Sequence, residues 1–173
     1  MLGLFLCVGA RADIIISEIC ADNHCIYFDE AGKTPDWIEL HNNGSDTVSL
    51  NGWQLADDSK KPAQPLDGLR MEPGSYLTVV LPKDAFGLSS EGECVYLQHD
   101  GINIAEITYP ALARDVSWAL IDGVYTATWL PTPGRANIPL HEGCAYAGMD
   151  GPRLNEILTS TPPYKDDPGH DYV

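Results

Sequence analysis

The sequence predicts an all-β protein, a two-sheet antiparallel β-sandwich, and three observations lead to that fold class. Short runs rich in Val, Ile, Tyr and Trp recur along the chain, separated by turns of Gly, Asn, Asp and Pro. No long window carries the helical period of apolar residues, so we expect no substantial helix. Asp-Gly pairs at 100–101 and 122–123 each lie between two such runs, as the two-residue turns of β-hairpins do.

The predicted strands are short and numerous, which favours two packed sheets over a single open one. They are 14–20, 37–42, 47–55, 75–81, 93–99, 102–108, 117–121 and 124–129. In the run 75–81, Leu77, Val79 and Leu81 alternate with more polar residues, so one face packs inward while the other meets water. All four tryptophans are expected to fill the core between the sheets: Trp37, Trp53, Trp118 and Trp129.

Two segments near the start of the chain are repeated near its end. Residues 16–20 (ISEIC) match residues 154–158 (LNEIL), and residues 36–38 (DWI) match residues 171–173 (DYV). Each pair is separated by a polar, acidic loop. The repetition predicts a second copy of the same domain, of which this chain holds only the beginning.

The resulting domain prediction has four parts. Residues 1–12 are predicted to be a signal peptide and residues 13–137 the β-sandwich domain. A linker rich in Gly and Pro follows at 138–152, and residues 153–173 are the start of the second, truncated repeat.

The N-terminus predicts export. Residues 2–10 form an apolar stretch that is too short to span a bilayer. It leads into Ala10, Arg11 and Ala12, a small-x-small cleavage pattern, so Asp13 would begin the mature chain. No Lys or Arg precedes the apolar run, which leaves open whether Met1 is the true start. We expect a secreted or cell-surface location.

The charge of the chain argues against one class of partner. The formal net charge is -15, and the acidic excess lies within the predicted sandwich. Such a surface repels phosphate backbones, so nucleic-acid binding is not expected. A membrane span is not expected either. The partner is left as a protein or a polysaccharide, and the oligomeric state stays open.

Removal of the signal peptide would leave four cysteines, Cys20, Cys25, Cys94 and Cys144. Four cysteines allow three disulfide pairings, and the sequence does not choose among them. A local bridge between Cys20 and Cys25 is one option, and free thiols are another. His24 lies between these two cysteines, but the spacing matches no standard metal-ligand pattern.

Acidic residues cluster in the first loop and again after the third strand. They are Asp22, Asp29, Glu30 and Asp36, followed by Asp57 and Asp58. Carboxylates on loops are the ligands that calcium uses, so a structural calcium ion is an alternative here. Lys33 interrupts the first loop and the spacing is not that of an EF-hand, so we expect a solvated acidic rim and no cofactor.

Catalytic motifs are absent from the sequence. It contains no Gly-x-Ser-x-Gly elbow, no phosphate-binding glycine loop and no His-Glu-x-x-His pair, and its five histidines are scattered. The chain is therefore not expected to be an enzyme.

Six residues in or beside the second and third predicted strands form the most informative motif. They are Asp36, Trp37, Glu39, Gly52, Trp53 and Asp57. Gly52 permits a close backbone approach beside Trp53. Asp36 and Asp57 sit beside turns, where a short carboxylate accepts backbone N–H groups. The role expected for the whole set is maintenance of the fold.

With residues 88–93, 115–117 and the run TPGRAN at 132–137, this motif resembles the lamin tail domain family. That family has an immunoglobulin-like β-sandwich and occurs in nuclear lamins and in many secreted or surface proteins of bacteria. The resemblance covers about residues 14–137, and the export signal is similar to that of the bacterial form. It implies a non-catalytic interaction or spacer module. The alternative is an accessory domain of a larger secreted hydrolase or nuclease.

Overall fold

The computed structural model describes residues 13–58, 61–81 and 85–139, and these residues form eleven strands and no helix. The strands are β1 (Ile14–Cys20), β2 (Trp37–Asn42), β3 (Val48–Ser49), β4 (Trp53–Asp57), β5 (Gln64–Pro65), β6 (Arg70–Met71), β7 (Tyr76–Val80), β8 (Glu93–His99), β9 (Ile102–Tyr109), β10 (Ser117–Ile121) and β11 (Val124–Thr128). The predicted signal peptide, the linker beyond Pro139 and the predicted second repeat lie outside the described residues.

The strands form two main antiparallel sheets, which confirms the predicted fold class. One sheet has five strands in the order β11-β10-β1-β2-β7, and the other has four in the order β5-β4-β8-β9. A short ladder pairs β3 with β6. The central strand β1 pairs with both β10 and β2, so the first strand of the described residues lies in the middle of the larger sheet.

Alternate residues of the central strands supply the core. Ile16 and Leu40 lie opposite each other in the five-stranded sheet, and Leu55 and Leu97 are paired in the same way in the four-stranded sheet. All four side chains are completely buried in one hydrophobic cluster. A strand presents every second side chain to the same face, so the apolar alternation of these segments brings the two sheets together.

Both Asp-Gly hairpins form as predicted. Asp100 and Gly101 have φ angles of 50° and 79° and connect β8 to β9; Asp122 and Gly123 have φ angles of 51° and 82° and connect β10 to β11. Positive φ at both central residues gives the turn whose twist matches that of the paired strands.

The predicted strand 47–55 is divided in the structure. A turn, in which the amide of Trp53 donates to the carbonyl of Leu50 at 3.0 Å, separates β3 from β4. Gly52 occupies this turn with a φ of +79°, a conformation that favours glycine. The alternation of apolar residues continues through the turn, so periodicity alone did not reveal it. The two-residue strands β5 and β6 were not predicted.

One of the four tryptophans expected in the core lies outside it. Trp37 and Trp53 are buried, and Trp118 packs against the core while partly exposed. Trp129, however, is 70% exposed. It follows the end of β11, which is the edge strand of its sheet.

Candidate functional site

Two glutamates lie side by side on the outer face of the five-stranded sheet. Glu18 on β1 and Glu39 on β2 are opposite each other in the strand register, and both are completely buried. The register shifts between Ile16 and Glu18, which makes Ser17 the extra residue of a β-bulge. The bulge lets Ile16 face the core while Glu18 lies beside Glu39.

Hydrogen-bond donors surround both carboxylates. The Ser17 hydroxyl lies 2.8 Å from Oε1 of Glu39, and the amide of Gly134 donates to Oε2 at 2.5 Å. Glu18 accepts a bond from the amide of Thr132 at 3.0 Å and another from the hydroxyl of Ser117. Three strands and a later part of the chain therefore meet at this pair.

That later part is the closing segment, which we define as residues 132–137. Besides its bonds to the two glutamates, its last residue ties it to two strands. The side-chain amide of Asn137 donates to the carbonyl of Ser17 at 2.9 Å and to that of Leu120 at 3.0 Å. The closing segment thus crosses the outer face of the sheet, which explains why Glu39, on that face of β2, is buried.

Burial changes the acidity of the pair. Removal from water raises the pKa of Glu39 to about 7, and the neighbouring charge of Glu18 adds to this rise. Burial also raises the pKa of Glu18, although bonds from Ser117 and Thr132 and the charge of Arg135 oppose it. Two neighbouring carboxylates in a buried site cannot both ionise without cost.

The acidic first loop is folded around a buried asparagine. Oδ1 of Asn23 accepts the amides of Ile26 and Tyr27, and its Nδ2 donates to the carbonyls of Tyr27 and Pro35 at 2.8 Å. The amide of Asn23 in turn donates to Asp36 at 3.1 Å. The carboxylate of Asp36 therefore organises the loop, in the way expected from its position beside a turn.

A second carboxylate, from a distant part of the chain, binds the same loop. Asp115, which has a φ of +56°, accepts the amides of His24 at 2.7 Å and Cys25 at 3.0 Å. The Cys25 thiol also donates to it. Among the described residues, no group of three or more His, Cys, Asp or Glu side chains is arranged to hold a metal ion.

The other residues of the predicted motif lie in two places. Trp37 begins β2, and its ring is completely buried. Trp53 begins β4 and stacks on the ring of His99, with centroids 4.7 Å apart. Asp57 ends β4 opposite Val95, while the amide of Gly52 donates to Asp67 at 2.8 Å. The structure brings Glu39 to the closing segment and leaves the Gly52–Asp57 part of the motif on the other sheet.

The cysteines in the described part of the chain are free thiols. Cys20 is buried, Cys25 is exposed and Cys94 is partly exposed. The local bridge considered between Cys20 and Cys25 does not form. Burial raises the pKa of the Cys20 thiol to about 12, so this group is not a reactive thiolate. Cys144 lies outside the described residues.

Open clefts are present on the surface of the sandwich. One of about 540 Å³ lies beside the edge strand β7, and its lining includes Val80, Phe86, Lys33 and Asp36. Another of about 330 Å³ is lined in part by His41 and Tyr76, whose rings stack 4.2 Å apart. His41 is therefore less solvated than a residue on an open strand face would be.

The glutamate pair has two marks of a catalytic site, namely buried acids and raised pKa values. It lacks access, however. Both side chains have zero exposure, and oxygens of each accept bonds from the protein's own closing segment. The pair can therefore hold the chain together, but it offers no surface at which a substrate could bind.

An antiparallel two-sheet sandwich whose buried glutamates bind its own closing segment defines the class of protein as a β-sandwich module. The sequence model of the Lamin Tail Domain family matches residues 8–111, more than half of the chain. The chain belongs to the lamin tail domain family, whose fold is immunoglobulin-like. Neither the curated proteins nor the solved structures gave a match. No helix among the described residues is long and apolar enough to span a membrane.

Sequence reasoning missed most of the glutamate cluster. Glu39 and residues 132–137 were recognised as motif elements, but their contact was not expected because 95 residues separate Glu39 from Gly134. Glu18 was not selected as a site residue. The available signal was its place in the isoleucine-rich run 14–19, where an acid must find buried partners.

Proposed function

We propose that this chain is a non-catalytic interaction or spacer module of a secreted or cell-surface protein. The observation that carries the proposal is the enclosure of the glutamate pair. These are the acids whose burial most resembles that of catalytic groups, and their hydrogen bonds are used to attach the closing segment. The buried acids of the sandwich therefore stabilise its closed structure.

The export signal expected at residues 1–12 and the acidic composition support the secreted location. A formal charge of -15 keeps a module soluble and separated from other acidic surfaces. Exposed apolar side chains are available for contact with a protein or polysaccharide. They include Ile102 on the edge strand β9, which is 66% exposed, and Trp129.

Turnover by the purified full chain tests the non-catalytic assignment. The chain would be incubated with glycosidase, nuclease, esterase and peptidase substrates, alongside the variants Glu18→Gln and Glu39→Gln. We expect no activity above a buffer control for any of the three proteins. Activity that follows the wild-type chain and disappears in Glu39→Gln would contradict the proposal.

Export is tested separately by fusing the full chain to a periplasmic reporter in a bacterial host. We expect reporter activity, and N-terminal sequencing of the exported protein should begin at Asp13. A matched fusion that lacks residues 1–12 serves as the control. Equal activity of both fusions would contradict the predicted signal peptide.

The competing assignment, an accessory domain of a secreted hydrolase or nuclease, uses the same module in a different setting. The coding sequence that follows residue 173 in the source genome distinguishes the two. Further sandwich repeats or a surface anchor would favour the spacer module, whereas a catalytic domain would favour the accessory role.

A further inference from the structure

Burial beside Glu18 favours the protonated form of Glu39, against the bonds from Ser17, Gly134 and Arg135, which favour its anion. The Ser17 hydroxyl donates to Oε1 of Glu39 at 2.8 Å and lies 3.2 Å from the Glu39 carbonyl oxygen. When Oε1 carries a proton, it donates to Ser17, and the Ser17 hydroxyl donates to the Glu39 carbonyl instead. Oε2 meanwhile accepts the amide of Gly134. In this arrangement both oxygens of the neutral carboxyl group have partners.

Burial raises the pKa of Glu18 as well, but Glu18 has two hydroxyl donors, an amide donor and the charge of Arg135 to favour its anion. Its oxygens face the amide and hydroxyl of Thr132 and the hydroxyl of Ser117, all of which can act as donors. The charge of Arg135 also favours the Glu18 anion. An ionised Glu18 beside Glu39 makes the loss of a proton from Glu39 more costly as long as both stay buried.

We propose that Glu39 holds a proton under mildly acidic conditions and that loss of this proton weakens the attachment of residues 132–137, which makes the closing segment a pH-sensitive device on the outer face of the sheet. The physical reason is that opening the segment would return water to both carboxylates. Opening therefore relieves the repulsion that the second charge creates. This proposal concerns regulation and goes beyond the proposed module function.

Charged or titratable groups lie near Glu39 on each neighbouring element. Glu18 lies on β1 and Arg135 in the closing segment, where Arg135 is exposed to solvent. On β7, Tyr76 has its pKa raised by burial and by the charge of Glu39. On β2 itself, burial lowers the pKa of His41, so this side chain tends to be neutral near pH 7.

The direction of the pH effect follows from the raised pKa of Glu39. In the unfolded chain the group ionises near 4.5, whereas in the folded chain it ionises near about 7. Between these values the folded state binds more protons, so stability is greatest at low pH and falls as pH rises through this window. From pH 5.5 to pH 7.5 the unfolding equilibrium constant should rise by roughly 20-fold.

The first experiment is urea unfolding of the full chain at several pH values across this range. We expect the wild-type chain to show the fall in stability and Glu39→Gln to remove most of it. The control is Glu106→Gln, which removes one charge from an exposed position on β9 and should retain the wild-type pH dependence. A wild-type chain whose stability is the same at both ends of the range would overturn the proposal.

Amide hydrogen exchange of the wild-type chain tests whether the closing segment itself responds. The protection factor of the Gly134 amide should fall by about tenfold or more between pH 5.5 and pH 7.5. At pH 7.5 it should also be lower than those of the paired residues Leu97 and Ala105 in the other sheet, because the segment opens while that sheet stays folded. A Gly134 protection factor equal to those of Leu97 and Ala105 at pH 7.5 would show that the segment opens only in global unfolding, and it would overturn the local mechanism.

If Glu39→Gln does not fold, Glu18→Gln provides the test. In Glu18→Gln, the pH range over which stability falls should lie lower than in the wild-type chain, because Glu39 ionises more easily without the neighbouring charge. An unchanged window in Glu18→Gln would overturn the coupling on which the proposal rests.

Discussion

At the scale of single residues, two glycines with similar backbone angles occupy very different surroundings. Gly92 has a φ of +93°, and a Cβ added to it would lie 2.7 Å from the carbonyl oxygen of Tyr109 and 2.8 Å from the carbonyl carbon of Pro110. Gly68 has a φ of +79° and nothing within 4 Å of the same position. Backbone atoms cannot move aside as a flexible side chain can, so only Gly92 is restricted by packing as well as by conformation.

We therefore expect Gly92→Ala to reduce the free energy of unfolding by about 3 kcal/mol, since it combines an unfavourable φ with a backbone collision. Gly68→Ala should cost only about 1 kcal/mol, from the backbone conformation alone. Urea denaturation of the full chain measures both. Equal losses in the two variants would contradict the close approach at Gly92.

The tryptophans provide a second prediction at this scale. Trp53→Ala should cost about 3 kcal/mol or more because it leaves a cavity beside the core and removes the stacking partner of His99. Trp129→Ala should change stability by less than about 0.5 kcal/mol, since the ring is 70% exposed. A large loss of stability in Trp129→Ala would show that the ring is covered in solution.

At the scale of elements, the bulge in β1 and the closing segment are joined by hydrogen bonds. Ser17 contacts Glu39 through its hydroxyl and Asn137 through its carbonyl oxygen, so the extra residue of the bulge bonds to both. Without the extra residue, Glu18 would face the core and Ile19 would face outward, because a shift of one residue reverses the alternation of side chains. The bulge is therefore what allows an isoleucine-rich strand to carry a buried acid.

Asn137→Ala tests how much the attachment of the closing segment contributes. The change leaves the partly buried carbonyl oxygens of Ser17 and Leu120 without this donor, and we expect a loss of about 2 kcal/mol. The matched control is Asn103→Ala on β9, where the side chain is exposed and the loss should be below about 0.5 kcal/mol. Similar values for the two variants, measured by urea denaturation, would show that the segment adds little to stability.

At the scale of the whole molecule, the sequence was sufficient to predict the fold class. It was not sufficient to predict the contacts between the closing segment and the sheet. Alternating apolar residues and Asp-Gly turns depend on local chemistry, and the strands they predicted are present. The division at Gly52 was missed because alternation continues through the turn. The contact of Glu39 with Gly134 joins distant parts of the chain, which no local pattern reveals.

The acidic loops give a prediction for the molecule as a whole. Asp36 and Asp115 accept backbone amides, so we expect these loops to fold without a metal ion. Addition of a chelator should leave the melting temperature of the full chain unchanged, and added calcium should not raise it. An ion that bound only the folded state would raise the melting temperature with its concentration, and such a rise would favour the calcium alternative.

Amide hydrogen exchange at a single mildly acidic pH directly tests the attachment of residues 132–137 to the buried glutamates. In the full chain at pH 5.5, we predict that the amides of Thr132 and Gly134 are protected to a degree comparable with those of β1. Exchange of these two amides at the rate of an unstructured peptide would contradict the account, because donors bonded to enclosed carboxylates cannot exchange freely.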